Sequence, residues 1–203
     1  MGPRPFDGAR RLARAVKNFS MFEQALKLAN SAQLEDLGFI SNISRRTYDE
    51  RETFMFRSQE ACLEYLSLLI ENALLLRTNR RGRIYAGFEK LSRMEAVIDR
   101  YLRIADVSEQ LYVFGVADWK PPRHPHMKLV TLTNENRLAH ECFIIADSTT
   151  LSAALVARAE DEQEAPHLPL ETRNFRAFKS NDPVIVASLA TTAESLIDSS
   201  LAA

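Results

Sequence analysis

Leu111-Tyr-Val-Phe-Gly-Val116, Lys128-Leu-Val-Thr-Leu-Thr133, Glu141-Cys-Phe-Ile-Ile-Ala-Asp147 and Ala154-Leu-Val-Ala-Arg-Ala-Glu160 decide the reading of this chain. Each run is short and rich in β-branched or aromatic residues, and turn-forming residues separate it from the next. The first break, Ala117 to His126, holds Pro121, Pro122 and Pro125 and cannot be helical. Asn134-Glu-Asn-Arg137 and Asp147-Ser-Thr-Thr150 make the next turns, the latter with a short helix expected at 149–153. Four such segments predict one central sheet.

Working outward, the flanking segments repeat their apolar residues at helical spacing and need a surface to cover. Downstream, Thr172–Phe178 reads as a strand at or near an edge, and Asp182-Pro183 starts a last helix as N-cap and first-turn proline. Upstream, Ser92-x-x-Glu95 has the form of a capping box before a helix through Ala105. Ile84–Phe88 and Glu52–Arg57 read as strands. Between them, a helix over 58–78 carries Glu60, Glu64, Ser67 and Glu71 as its polar stripe, with a wide apolar arc left to bury. Ser20-x-x-Glu23 opens a helix expected over 20–37 and ended by Gly38, and Asn42 is placed as cap of a short helix through Tyr48. The predicted class is α+β: a central, mainly antiparallel sheet with flanking amphipathic helices.

Composition narrows the class. The 203 residues suffice for one well-buried domain over 19–203, with residues 1–18 as a basic arm. The arm holds Arg4, Arg10, Arg11, Arg14 and Lys17 against Asp7. Across the chain, 26 basic and 27 acidic side chains nearly cancel, which argues against a dedicated nucleic-acid binder. No long uncharged apolar run predicts a membrane span. Cys62 and Cys142 stand far apart in apolar surroundings, as small hydrophobes of a reducing compartment, so a cytoplasmic location is expected. His124, His126 and His140 lack the clustering of a metal site, and no metal or cofactor is expected. Phosphate-binding glycine loops and nucleophile elbows are missing, so no catalytic residue is named. The basic turn Arg77-Thr-Asn-Arg-Arg-Gly-Arg83 reads as cations at a helix C-terminus or as an anion site.

Arg83-Ile-Tyr-Ala-Gly-Phe-Glu-Lys-Leu-Ser92, Tyr101, Leu111–Asp118, Leu138–Asp147 and Ala154–Glu160 resemble the DICT sensory domain, which accompanies diguanylate cyclases and two-component systems. Phe19–Leu26 and Ile43–Arg46 are similar to that family's opening segments, and Cys142 departs from the aromatic residue it tends to carry there. The resemblance implies a non-catalytic bacterial signalling module in stand-alone form. It would sense a small ligand and relay its state to a separate kinase, response regulator or cyclase. The alternative is a protein-interaction adaptor with no small ligand. A homodimer is expected through the 58–78 or the 182–201 helix. The ligand-facing residues are expected to be Arg83, Tyr85, Phe88, Trp119, Glu141 and Arg158. Among these, Glu141 and Arg158 are opposite charges borne on apolar strands, either paired over the sheet or turned outward. Trp119 reads as a lid or as packing at the sheet edge. A cavity walled by Tyr85, Phe88, Glu141 and Arg158 would favour sensing, and a filled core would favour the adaptor.

Overall fold

Eight strands form one mixed sheet in a computed structural model that describes residues 17–29, 34–41, 43–76, 82–160 and 173–201. The strands are β1 Glu35–Phe39, β2 Thr53–Gln59, β3 Arg83–Lys90, β4 Gln110–Val116, β5 Met127–Leu132, β6 Glu141–Asp147, β7 Ser152–Ala159 and β8 Asn174–Ser180. Their spatial order is β1-β2-β8-β7-β6-β3-β4-β5. The four runs read from the sequence are β4 to β7, and all belong to this sheet. The ladders between β2, β8, β7, β6 and β3 are antiparallel. Those of β3 with β4, β4 with β5, and β1 with β2 are parallel. The sheet is therefore mixed rather than uniformly antiparallel, because β3, β4 and β5 are joined by long crossovers.

Among the described residues five α-helices cover it: α1 Met21–Leu28, α2 Arg45–Glu50, α3 Glu60–Leu76, α4 Ile98–Val107 and α5 Pro183–Leu201. Side chains alternate along each strand, so the two faces collect different sets. On the first face Phe54, Phe56, Ile84, Ile144 and Leu155 meet Leu66, Ile70 and Leu74 of α3 and Ile104 of α4. On the second face Tyr85, Phe114, Phe143, Ile145 and Val156 meet Met21 and Phe22 of α1 and Val186 and Leu189 of α5. Over the inner strands both faces are buried, which is why β3, β4, β6 and β7 read as near-continuous apolar runs.

Several local expectations give way to tertiary pairing. The helix expected over 20–37 ends at Leu28, and Glu35–Phe39 is an edge strand parallel to β2. Gly38 sits at φ 66°, where its N–H reaches the Asp36 carboxylate at 2.8 Å and the register shifts. The short helix is capped by Ser44, whose hydroxyl accepts from Thr47 N at 3.1 Å; Asn42 lies outside the described residues. Ser92 does not form a capping box. Its N–H and hydroxyl go to the Asp118 carboxylate at 2.9 and 2.6 Å, and a 3₁₀ segment, Leu91–Val97, precedes α4. No helix follows Asp147, because Ser148 closes a tight turn on Leu151 and β7 begins at once. Asp182 caps α5 as expected, accepting from Val184 N at 2.7 Å.

The strand expected at an edge, β8, lies inside the sheet between β2 and β7. Its Lys179 is fully buried. The ammonium donates to the carbonyls of Tyr48 at 2.9 Å and of Arg51, and sits 4.7 Å from the Tyr48 ring. A lysine on an apolar strand suggests an outer position, but here it collects the carbonyls at the end of α2. Burial lowers its pKa to about 8, away from the usual lysine range.

Gly87 lets β3 approach β6 with a ring between them. A Cβ there would stand 2.3 Å from Cε1 of Phe143, which is held against Phe114 at 5.5 Å. Gly87→Ala is expected to cost about 1–3 kcal/mol of stability by overpacking. Urea unfolding followed by circular dichroism measures it, and an unchanged midpoint would contradict this packing.

Candidate functional site

The six residues singled out from the sequence do not converge. Arg83, Tyr85, Glu141 and Arg158 share the second face, whereas Phe88 and Trp119 pack with the first-face core. The reason is strand alternation: Tyr85 and Phe88 are an odd number of residues apart on β3, so the sheet separates them. The four-residue wall expected over the sheet is therefore not formed.

On the second face these residues hold helices. Glu141 is 1% exposed. Its carboxylate accepts from the Ser20 hydroxyl, from Met21 N at 2.8 Å and from Phe22 N at 3.2 Å. It thus satisfies backbone donors that the first turn of α1 leaves open, at the positive end of the helix dipole. Burial pushes its pKa up, against the lowering effect of these hydrogen bonds and of Arg158. Arg158, opposite Glu141 in the ladder, lies over the Phe22 ring at 5.3 Å and pairs with Glu23 at 3.3 Å. Arg137 joins Glu23 at 2.7 Å. Arg83 pairs with Glu194 of α5, and Tyr85 stacks on Tyr112 with centroids 5.4 Å apart.

The open volume lies on the first face. A cleft of about 580 Å³ runs between α3 and strands β3, β6 and β7. Leu63, Phe88, Val97, Ile144, Leu155 and Ala157 contribute its apolar walls. One lip is the α3 stripe of Glu60, Glu64, Ser67 and Glu71, and the other carries Arg93 and Arg100. Toward the C-terminal end of α3 the lips are tied. Glu71 is 4% exposed and accepts from Arg100 Nη1 at 2.6 Å and from the Tyr101 hydroxyl at 2.9 Å. Burial, reinforced by Glu71, holds the Tyr101 phenol well above its ordinary range.

The N-terminal end of α3 is arranged differently. Glu89 pairs with Arg93 at 2.8 Å and with Arg173 at 3.5 Å, and the Cys142 thiol lies 3.9 Å from it. Cys142 is pushed far above the ordinary thiol range, first by burial and then by Glu89 and Glu60, so it is held as the unreactive thiol. Glu60 is raised to about 7, chiefly by burial, with Arg93 opposing and Glu89 and Glu64 adding to it. Glu60 Oε2 and Arg93 Nη1 are both shielded from water and have no hydrogen-bond partner.

Of the residues singled out from the sequence, Phe88 lines this cleft; Glu60, Glu71, Arg93 and Arg100, which also line it, were not among them. The signal was present as two complementary stripes, acidic on α3 and basic over residues 93–100, but the acidic stripe looked like a solvated face. The histidines go elsewhere: His124 meets Asp106 at 3.1 Å, and His140 meets the Asn134 carbonyl at 3.1 Å. Among the described residues no group of three His, Cys, Asp or Glu is placed to hold a metal ion, and no helix is long and apolar enough to cross a membrane. The basic turn at 77–81, the arm at 1–16 and the acidic loop at 161–171 lie outside the described residues.

The profile of the sensory domain in diguanylate cyclases and two-component systems, DICT, matches residues 49–160. The chain belongs to the DICT family. The matched stretch runs from the end of α2 through β7. It takes in α3, α4 and every cleft-lining residue, and leaves out α1, β8 and α5. Among solved structures, Nuc, a phospholipase D family member from Salmonella typhimurium, is similar at 14% identity and TM-score 0.41, over 73% of this chain and 95% of that one. A likeness of that size carries no argument about this DICT chain. No curated protein matches it.

Two outcomes follow. Glu141→Gln keeps the shape but removes the charge that receives the α1 donors, and should lower stability by about 1.5–3 kcal/mol in urea unfolding; no loss would mean that α1 is held by apolar contact alone. Glu60 has a raised folded pKa, so the folded state binds its proton more tightly than the unfolded chain. Its contribution is therefore full below the unfolded pKa of 4.5 and is lost as pH rises through about 7. After a discount for partial exposure, the loss is on the order of 2 kcal/mol. Wild type and Glu60→Gln, compared by unfolding at pH 5 and pH 8, should diverge accordingly; parallel curves would contradict it.

Proposed function

We propose that the chain is a non-catalytic sensory module that binds a small molecule in the cleft beneath α3 and passes its occupancy to a signalling partner. The observation that carries this reading is the cleft itself, an apolar-walled space of about 580 Å³ with charged lips. That volume is typical of small-ligand sites, and a few convergent polar groups are what such sites use for orientation. Membership of a sensory family supports the signalling half. On the second face the same strands are covered by α1 and α5, which directs the search for a ligand to the first face.

The relay in this reading runs through α3. One side of this helix forms a wall of the cleft; Tyr65, 41% exposed, stands on that side at the rim, and Leu76 at the helix C-terminus is 83% exposed. A ligand that changes how α3 sits on the sheet changes what those residues present to a partner, and only differential affinity for the two arrangements is needed. The adaptor reading, which dispenses with the ligand, leaves the cleft without a role.

Native mass spectrometry of the purified full chain tests the proposal. A co-purifying small molecule is expected, and Ala157→Trp, which fills the cleft, should lose it while keeping the circular dichroism spectrum. A bare polypeptide from cells of the native host would overturn the sensor reading in favour of the adaptor.

A further inference from the structure

The two ends of the cleft differ in one respect. At the C-terminal end of α3, acid and base have met: Glu71 is satisfied by Arg100 and Tyr101. At the N-terminal end they have not, although Glu60 and Arg93 line the same cleft. The Arg93 guanidinium gives Nη2 to Glu89 and leaves Nη1 without an acceptor, and Glu60 leaves Oε2 without a donor. Buried polar groups are nearly always paired, so two unpaired atoms at one end of a vacant space mark where a polar group belongs.

The chemistry of that group follows from its neighbours. The charged and titratable groups acting on Glu60 are Arg93, Glu89, Glu64 and Arg173, with the Cys142 thiol also near. Glu89 is already engaged by Arg93, Arg173 and the Cys142 thiol. An incoming cation would find Glu60 and, one helical turn on, the exposed Glu64, but it would stand beside the Arg93 and Arg173 guanidiniums. An incoming anion meets Arg93 as a permanent donor and finds in Glu60 a carboxyl that, once protonated, donates too. The remaining walls, Leu63, Phe88, Val97 and Leu155, suit an apolar body. We propose, building on the cleft as the sensing site, that its ligand is a carboxylic acid with an apolar or aromatic body, whose carboxylate accepts from Arg93 and from protonated Glu60. Binding takes up one proton from solvent when Glu60 starts ionised. No covalent bond changes. Glu60 is the first residue of α3, so engagement and protonation act at the end of the helix that the relay uses.

Isothermal titration calorimetry on the full chain, with phenylacetate, phenylacetamide and phenethylamine as probes, tests this. Phenylacetate should bind in preference to the amide and the amine. Its affinity should fall about tenfold between pH 6 and pH 8, as protonated Glu60 becomes scarce. Heats in buffers of different ionisation enthalpy should reveal proton uptake that grows with pH. Glu60→Gln, a permanent neutral donor, should keep binding and lose both the pH dependence and the uptake, while Arg93→Met should weaken binding at least about tenfold. Should Arg93→Met fail to fold, the wild-type proton uptake and its loss in Glu60→Gln still decide. Preference for the amine, pH-independent binding of the acid, or no binding of phenylacetate at millimolar concentration would overturn the carboxylate inference. Those results leave the sensor reading intact if native mass spectrometry finds a different small molecule that Ala157→Trp displaces. A bare polypeptide there removes both.

Discussion

Strand β3 is the constraint on which the architecture depends. It pairs in parallel with β4 on one side and antiparallel with β6 on the other, so it joins two halves of different connectivity. A strand in that position has no free edge, and the sheet around it has two faces to bury. The chain answers with two helical layers whose packing differs. α1 and α5 close down on the second face. α3 and α4 cover the first face incompletely, and the space left under α3 is the cleft.

The polar groups buried on the two faces differ in the same way. Glu141 lies under a helix N-terminus, and its oxygens are used up by the Ser20 hydroxyl and two backbone donors. Lys179 is enclosed and spends its donors on carbonyls around the end of α2. Both are charges placed where the backbone leaves orphan groups, a structural use that costs desolvation but specifies where a helix docks. Glu60 and Arg93 are also shielded, yet each retains an unpartnered atom beside open space. In this chain, then, the satisfied buried charges Glu141 and Lys179 mark joints, and the unsatisfied pair at the cleft is what the proposed ligand would complete.

In the sensor reading, this division also locates where occupancy is felt. α3 is fixed at its C-terminal end by Glu71, Arg100 and Tyr101 and begins at Glu60 beside the unpaired groups. In the sensor reading, a ligand that engages Glu60 acts on the end of α3 opposite that anchor, as on a lever. The family's sensory description is consistent with such a lever, and the region its profile matches contains both ends.

The four central β-segments were legible from residue type and turn chemistry alone, because β4, β6 and β7, buried on both faces, are continuous apolar runs and the edge strand β5 is set off by its turns. The Asp182-Pro183 helix start and the Ser20 cap were legible for the same local reason: short-range hydrogen bonding is written in adjacent residues. Strand order was not, and β8 shows why. Lys179 looks like an outer residue until β2, its Phe54 partner far outside any local window, pairs beside it. Of the candidate cleft, the residue type alone pointed only to Phe88. Glu141 and Arg158 were rightly seen as unusual charges on apolar strands, but whether a helix or a ligand satisfies them depends on what lies above the sheet. Phe88 belongs to the cleft, and its separation from Tyr85 was implicit in the alternation of strand side chains. Composition and local patterning thus determined that a central sheet forms and that amphipathic helices cover it. Only the tertiary structure decided which face is sealed and which is left open, because that depends on side-chain volumes meeting across elements far apart in the chain.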